Sequence, residues 1–254
     1  MTKLAMHKRL SVLFAGVLVA GALYAAPVFA AEEGADLPHA GTDLTDRASM
    51  QRGAALFMNY CSGCHSLQYL RYSRMAEDLG LTEDDVQNNL NFTGAKFGEQ
   101  VHVALRDDQG KQFFGKMPPD LSVIARVRGS DWIYNYLKSF YVDESRPVGW
   151  NNTVFPNASM PNPLWQLQGV QYAQLGKADA SGDRAVEKLL LPQPGEQTAA
   201  QFDQTARDIT TFLEYAGEPA AIQRQSLGVW VILFLAFFTF LAWLLKMEYW
   251  RDVH

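Results

Sequence analysis

Apolar positions recur at helical spacing in several separated stretches of this chain. Met50, Ala54, Phe57 and Met58 share one helical face, with Thr45 or Asp46 placed to cap it. Leu79 to Leu90 reads as a short acidic helix started by Thr82, with Asp85 three residues on. Ile133, Tyr136, Leu137 and Phe140 mark a helix capped by Ser130. Phe202, Ala206, Ile209, Leu213 and Ala216 mark an amphipathic helix that Gly217 and Pro219 close. Between these, Asn91 to Lys116 reads as loop from its Gly, Asp and Gln content. Met117-Pro118-Pro119-Asp120-Leu121-Ser122 reads as a rigid turn into a short helix, because two prolines cannot continue one. Pro147 to Pro163 has no period, but its Trp, Phe and Met argue against disorder, and a long irregular loop in a folded domain is usually functional. Residues 176–197 read as an exposed excursion. The pattern predicts a mostly α fold with long irregular loops.

Both ends are apolar without a period. Lys3, Lys8 and Arg9 precede an apolar run from Leu10 to Phe29, and Val28-Phe29-Ala30 is a small-x-small cleavage site before Ala31. Residues 1–30 are therefore expected to be an export signal, a retained membrane helix being the alternative. Leu227 to Leu245 runs nineteen residues without a charge, which at about 1.5 Å per residue spans roughly 28 Å, near the thickness of a hydrocarbon core. Lys246 and Arg251 follow this span and Arg224 precedes it, so the charge bias leaves the C-terminus cytoplasmic, with Tyr249 and Trp250 suited to the interface. The expected organisation is an export signal over 1–30, an exported domain over 31–223, and a transmembrane anchor with a short tail over 224–254.

Composition narrows the function classes. With 48% apolar residues in 254 the chain is not of the disordered class. The exported segment carries 25 acidic against 16 basic side chains, a formal charge of −9, which does not suit a nucleic-acid binder. Glu77, Asp78, Glu83, Asp84 and Asp85 cluster in sequence, and such a local field suits steering of a basic partner.

The candidate chemistry is at Cys61-Ser62-Gly63-Cys64-His65, which holds both cysteines of the chain. C-x-x-C-H is the spacing at which haem is held covalently: two thiols form thioethers and the adjacent imidazole reaches the iron. A redox dithiol, half a zinc site or a disulfide are the alternatives. A zinc site needs further ligands at characteristic spacing, and none follows. A thioredoxin-type dithiol sits after an apolar strand, whereas Ala54 to Met58 reads as helix. In an oxidising compartment two lone cysteines pair unless other chemistry consumes them. Arg126 and Arg128 follow the proline turn, and a guanidinium pairs bidentately with a carboxylate such as a haem propionate. His102, alone among polar neighbours, reads as a surface histidine.

These segments together resemble the cytochrome c1 family, the membrane-anchored haem subunit of ubiquinol–cytochrome c oxidoreductase. The resemblance rests on Cys61-Ser62-Gly63-Cys64-His65-Ser66-Leu67 with Arg71-Tyr72, and on Pro118-Pro119-Asp120-Leu121-Ser122 with Arg126 and Arg128. Phe155-Pro156 before Met160-Pro161, and Ala206-Arg207-Asp208-Ile209 leading through Phe212-Leu213 to Gly217-Glu218-Pro219 and the terminal span, extend it. It implies one covalent haem c in a mostly helical c-type cytochrome domain with a C-terminal anchor. It further implies Cys61 and Cys64 as thioether donors, His65 and Met160 as axial ligands, Pro118 beside the haem and Arg128 near a propionate. Met117 is the rival to Met160 for the second axial position. The implied partners are a cytochrome b subunit, a Rieske iron–sulfur protein as electron donor and a soluble c-type cytochrome as acceptor. The implied location is the bacterial inner membrane, single-pass, with the haem domain periplasmic. No catalytic acid, base or nucleophile is expected. A membrane-anchored c-type cytochrome serving another reductase or a terminal oxidase is the alternative. Phe113-Phe114-Gly115-Lys116-Met117 departs from the family's Asn-Gly-Ala-type run before the double proline, and nothing carries over to residues 166–197.

Overall fold

The computed structural model describes residues 37–178 and 184–253; the export signal expected over 1–30 lies outside the described residues. In chain order the first half forms α1 (Arg47–Tyr60), β1 (Leu67–Arg71), α2 (Tyr72–Leu79), α3 (Glu83–Asn89), β2 (Gln100–Val101), α4 (Asp107–Phe114) and α5 (Ile124–Arg128). The second half forms α6 (Ser130–Lys138), β3 (Phe140–Val142), β4 (Trp150–Asn152), α7 (Trp165–Gln168), β5 (Gly169–Ala178), β6 (Arg184–Pro194), α8 (Ala199–Gly217) and α9 (Ala221–Trp250). The fold is mostly helical, as the periodicity implies.

The centre is the packing of α1 on α8. Asp46 starts α1 by accepting the Ser49 N–H at 3.0 Å, and Thr198 with Gln201 forms a capping box for α8. The two backbones meet at Gly53, where an added Cβ would lie 2.0 Å from the Asp208 carbonyl oxygen. Only a residue without a side chain permits that approach. Beside it the buried Asp208 carboxylate takes a fork from Arg52 at 2.7 and 2.9 Å, the Ser49 hydroxyl at 2.6 Å and the Gln204 amide at 2.8 Å. Four donors offset the cost of withdrawing this charge from water. Phe57 and Phe212 pack with ring centroids 5.7 Å apart, and Met50, Met58 and Met75 are buried in the same core.

Helix α6 packs on the other side of α8. Asp203 accepts from Tyr134, Lys138 and Arg207. Glu214 accepts from Thr42 and Ser130, each at 2.6 Å. Ser130 is therefore not the cap expected of it: the N-cap position is Gly129, and Glu214 engages the serine hydroxyl. Phe140 lies past the end of α6, as the first residue of β3.

The other departures are short or polar elements that carry no readable period. The expected loop over 91–116 contains β2 and α4, because α4 is polar until Phe113 and Phe114. Arg71 precedes α2, which the sequence does not announce and which ends at Gly80 with φ 67°. A four-stranded sheet of order β4-β3-β5-β6 interrupts the helical pattern, antiparallel except for the β3–β5 pairing at Val142 and Tyr172. Its outer hairpin, β5 with β6, is the exposed excursion; residues 179–183 of it lie outside the described residues. The expected acidic helix is present as α3, with Thr82 and Asp85 in a capping box.

Helix α9 is long and apolar enough to cross a membrane, and none of its apolar window is buried. At its root Glu218 joins Arg126, at 3.2 Å, to Arg224, at 3.0 Å.

The α1–α8 crossing yields a test. Gly53→Ala should cost about 1–3 kcal/mol or more of stability, since the neighbour it meets is backbone and cannot rotate away. The urea midpoint of the detergent-solubilised protein reads this directly.

Candidate haem site

Helix α1 delivers the C-x-x-C-H motif at its C-terminus. Cys61 closes the last turn through a 2.8 Å bond to Phe57, and the amides of Cys64 and His65 return to the Cys61 carbonyl at 3.0 and 2.9 Å. This single tight turn faces both thiols and the imidazole onto one cavity. No disulfide joins the two cysteines. Burial, with the neighbouring Cys64 adding to it, pushes the Cys61 thiol up to about 12, and burial raises Cys64 as well. A reactive dithiol needs the opposite shift, so the redox-dithiol alternative fits this site poorly.

His65 is 8% exposed, and its Nδ1 lies 2.7 Å from the Pro119 carbonyl oxygen. A carbonyl only accepts, so Nδ1 carries the proton and donates, which leaves the Nε2 lone pair for a metal. Burial pushes the His65 pKa down, against smaller raising effects from Pro119 and Asp120. The neutral, ligating form is thereby favoured.

The Pro118–Ser122 turn is stitched to the residues after the motif. Asp120 accepts from the Ser66 hydroxyl at 2.7 Å, the Gln68 amide at 2.8 Å and the Ser122 amide at 2.9 Å. The Leu121 amide bonds to Ser66 O at 2.9 Å, and the Tyr69 amide to Ser122 Oγ at 3.1 Å. Burial opposes ionisation of Asp120, but these hydrogen bonds outweigh it and hold the carboxyl below its usual range.

From this turn α5 carries its two arginines in different directions. Arg126 pairs with Glu218. The Arg128 guanidinium lies over the rings of Trp132, at 5.2 Å, and Phe155, at 5.6 Å, on the cavity wall.

The aperiodic segment is ordered by asparagines acting as backbone substitutes. Asn152 Oδ1 accepts the amides of Val154 and Phe155, and Asn151 Oδ1 accepts the amide of Asn157, which itself has φ 64°. Asn162 accepts the Leu164 amide and donates to Gln168. These bonds bring Phe155 and Met160 to the cavity. Met117 packs elsewhere: a Cβ added at Gly110 would meet its sulfur at 2.6 Å, and it is not part of the cavity wall.

All six residues singled out from the sequence, Cys61, Cys64, His65, Pro118, Arg128 and Met160, line this one cavity of about 350 Å³. Further lining residues, Lys116 and Trp132 among them, were not assigned to the site from sequence. Trp132 meets Arg128 across Gly129, the break between α5 and α6, so no helical spacing announces the contact. Asn151, Asn152 and Asn162 frame the site through single side-chain bonds to backbone amides, which leave no period in the sequence.

The wall is otherwise largely apolar, with Lys116 and Arg128 as its permanently cationic residues and no carboxylate among them. Two thiols, a neutral imidazole, a thioether sulfur and two cations around an apolar hollow fit a flat, apolar dianion such as haem. The fold and this donor set define a c-type haem protein. The chain matches the Cytochrome C1 family over residues 39–185 and 193–253, and it belongs to that family. Members are haem c subunits of the cytochrome bc1 complex, and one covalent haem c is the cofactor. It is 48% identical over 222 residues to a cytochrome c1 of Allochromatium vinosum, covering 87% of this chain and 91% of the relative. It is 41% identical over 231 residues to an ammonia monooxygenase gamma subunit of Nitrosomonas europaea, covering 90% and 94%. A mitochondrial cytochrome b-c1 complex catalytic subunit of Candida albicans is 28% identical over 235 residues, covering 85% and 76%.

The Asp120 network predicts an acid-dependent loss. Asp120→Ala should cost about 1–3 kcal/mol by orphaning its donors. In the parent protein the folded pKa is depressed, so the stabilisation is complete above the unfolded carboxylate value of about 3.9 and fades as pH falls through the lower folded value. Thermal melting followed by circular dichroism from neutral to acid pH should show that contribution shrinking in the parent and absent in the variant.

Proposed function

We propose that this chain carries single electrons from a Rieske iron–sulfur protein to a soluble c-type cytochrome, within an assembly that includes a cytochrome b subunit. The observation that supports it is the shared wall: both cysteines, His65, Met160 and Arg128 face one cavity. The haem supplies a reversible one-electron ferric–ferrous couple. Cys61 and Cys64 hold it as thioether donors. His65, its Nδ1 proton fixed on Pro119, would hold the iron through Nε2, and Met160 would hold it through its sulfur. A sulfur ligand paired with histidine raises the reduction potential. Arg128, steadied by Trp132 and Phe155, pairs with a propionate, and Pro118 closes the wall beside it. The apolar lining keeps water from the metal.

In this reading residues 1–30 direct export, 31–223 form the haem domain on the periplasmic side of the bacterial inner membrane, and 224–254 anchor it with the C-terminus cytoplasmic. Lys246 and Arg251 beyond the span support that orientation. A second reading, service to a different oxidoreductase, is favoured by the name of the Nitrosomonas relative. Gel analysis of the purified complex separates the two, a cytochrome b partner being expected.

A pyridine haemochrome of the denatured protein should show covalently retained haem c. Met160→Leu should abolish the ferric sulfur-to-iron charge-transfer band, lower the potential and open the iron to small ligands, with the haem still attached. Met117→Leu should leave the band in place; the reverse pattern would transfer the ligand role to Met117.

Acidic steering of the acceptor is also testable. Of the five clustered carboxylates, Asp78 is already engaged by Arg74 at 2.6 Å and Tyr215 at 2.8 Å, and Asp85 by Thr82. Glu77, Glu83 and Asp84 remain exposed. Reaction with a basic acceptor should slow as salt shortens the screening length below about 8–10 Å. Neutralising these three should flatten the stopped-flow salt dependence; an unchanged slope places docking elsewhere.

A further inference from the structure

Tyr136 stands on α6 with its ring stacked on Trp132, centroids 4.8 Å apart and planes 10° apart, and edge-on to Phe140 at 4.9 Å. The ring is thus clamped on two sides, and its backbone is held too, since Asn152 Nδ2 donates to the Tyr136 carbonyl at 2.8 Å. From this fixed position the hydroxyl reaches Met160 Sδ at 3.5 Å. A thioether has no hydrogen to give, so the direction is set: the phenol donates and the sulfur accepts.

The same asparagine places both partners. Asn152 bonds the Tyr136 carbonyl and, through its Oδ1, the amides of Val154 and Phe155 that begin the segment leading to Met160. Hydroxyl and sulfur are held together by the frame rather than by chance proximity of two mobile side chains.

We infer that Tyr136 tunes the haem through Met160, its hydroxyl withdrawing electron density from the ligand sulfur. The inference rests on Met160 being an axial ligand, as proposed above. A thioether sulfur has two lone pairs; coordination uses one and leaves the other for the hydroxyl. A hydrogen bond to a ligand atom makes it a poorer donor, and hydrogen bonding around the ligands is one of the means by which a protein sets a haem potential. A poorer sulfur donor supports ferric iron less than ferrous iron. Tyr136 therefore raises the reduction potential and loosens the ferric iron–sulfur bond together. Loss of mere packing would loosen that bond without requiring the potential to follow, so the two roles differ in sign.

The test uses the purified, haem-loaded complex. Tyr136→Phe keeps the ring and its stacking and removes only the hydroxyl. The expected result is a lower potential, by a factor of about three in the reduction equilibrium constant, which is about 30 mV for one electron. The ferric charge-transfer band should persist, and ferric affinity for added imidazole should fall severalfold because the sulfur is harder to displace. An unchanged potential overturns the inference. So does loss of the band with tighter imidazole binding, which is the signature of a structural prop. Met160→Leu measured alongside separates the two levels. If that variant keeps the band, the ligand assignment fails. If it loses the band while Tyr136→Phe leaves potential and imidazole affinity unchanged, the tuning role alone fails.

Discussion

The hydrogen bond from His65 Nδ1 to the Pro119 carbonyl ties together the two parts of the chain from which the site is built. It fixes the imidazole tautomer, and it can form only because the double proline holds its carbonyl still. The Asp120 network then joins Ser66, Gln68 and Tyr69 to Asp120, Leu121 and Ser122, so the turn cannot slide along the motif. Where that turn ends, α5 begins, and the placement of Arg128 follows. The cation at the cavity wall thus descends, through four short steps of backbone geometry, from one carbonyl facing one ring.

What could be read from sequence divides by the length over which a pattern has to persist. α1 and α8 each keep an apolar face for several turns, and the residues the spacing picks out are buried, although α8 also buries Thr205, Asp208, Thr210, Thr211, Phe212 and Tyr215. The C-x-x-C-H motif and the Pro-Pro-Asp-Leu-Ser turn carry their chemistry within a few residues, and they supply four of the six candidate residues on the cavity wall, Cys61, Cys64, His65 and Pro118. Strands of two or three residues, such as β2, β3 and β4, are too short to alternate visibly. Helix α4 is hidden because its stability comes from local polar contacts instead of a buried stripe. The frame of the irregular segment was not legible because an asparagine side chain satisfies backbone groups one at a time, leaving no period. Ser130 shows the limit of a local rule: it has the right identity for a cap, but a carboxylate from α8, 84 positions away in sequence, takes its hydroxyl.

The aromatic side of the cavity has a different logic. Trp132 is shared, lying under Arg128 on one side and against Tyr136 on the other. The residue that steadies the cation therefore also steadies the phenol beside Met160. The placement of Arg128 on the cavity wall and of the Tyr136 hydroxyl beside Met160 both lean on the rotamer of a single indole. Such sharing keeps the site small, and it makes the rotamers of this helix interdependent.

The α1–α8 crossing also sets an order of events. Its polar contacts join residues 156 and 159 positions apart. Closing so long a loop costs little more entropy than closing a shorter one, but the contact cannot exist until nearly all of the domain has been synthesised. Until then α1 lacks its main packing partner, keeping α2, where Gln51 donates to the Leu79 carbonyl, and stands as a marginal helix. The C-x-x-C-H motif comes early in the chain and the helix that buries it comes late. The site is therefore complete only once α8, which brings Ile209 and Leu213 to the cavity wall, has joined α1.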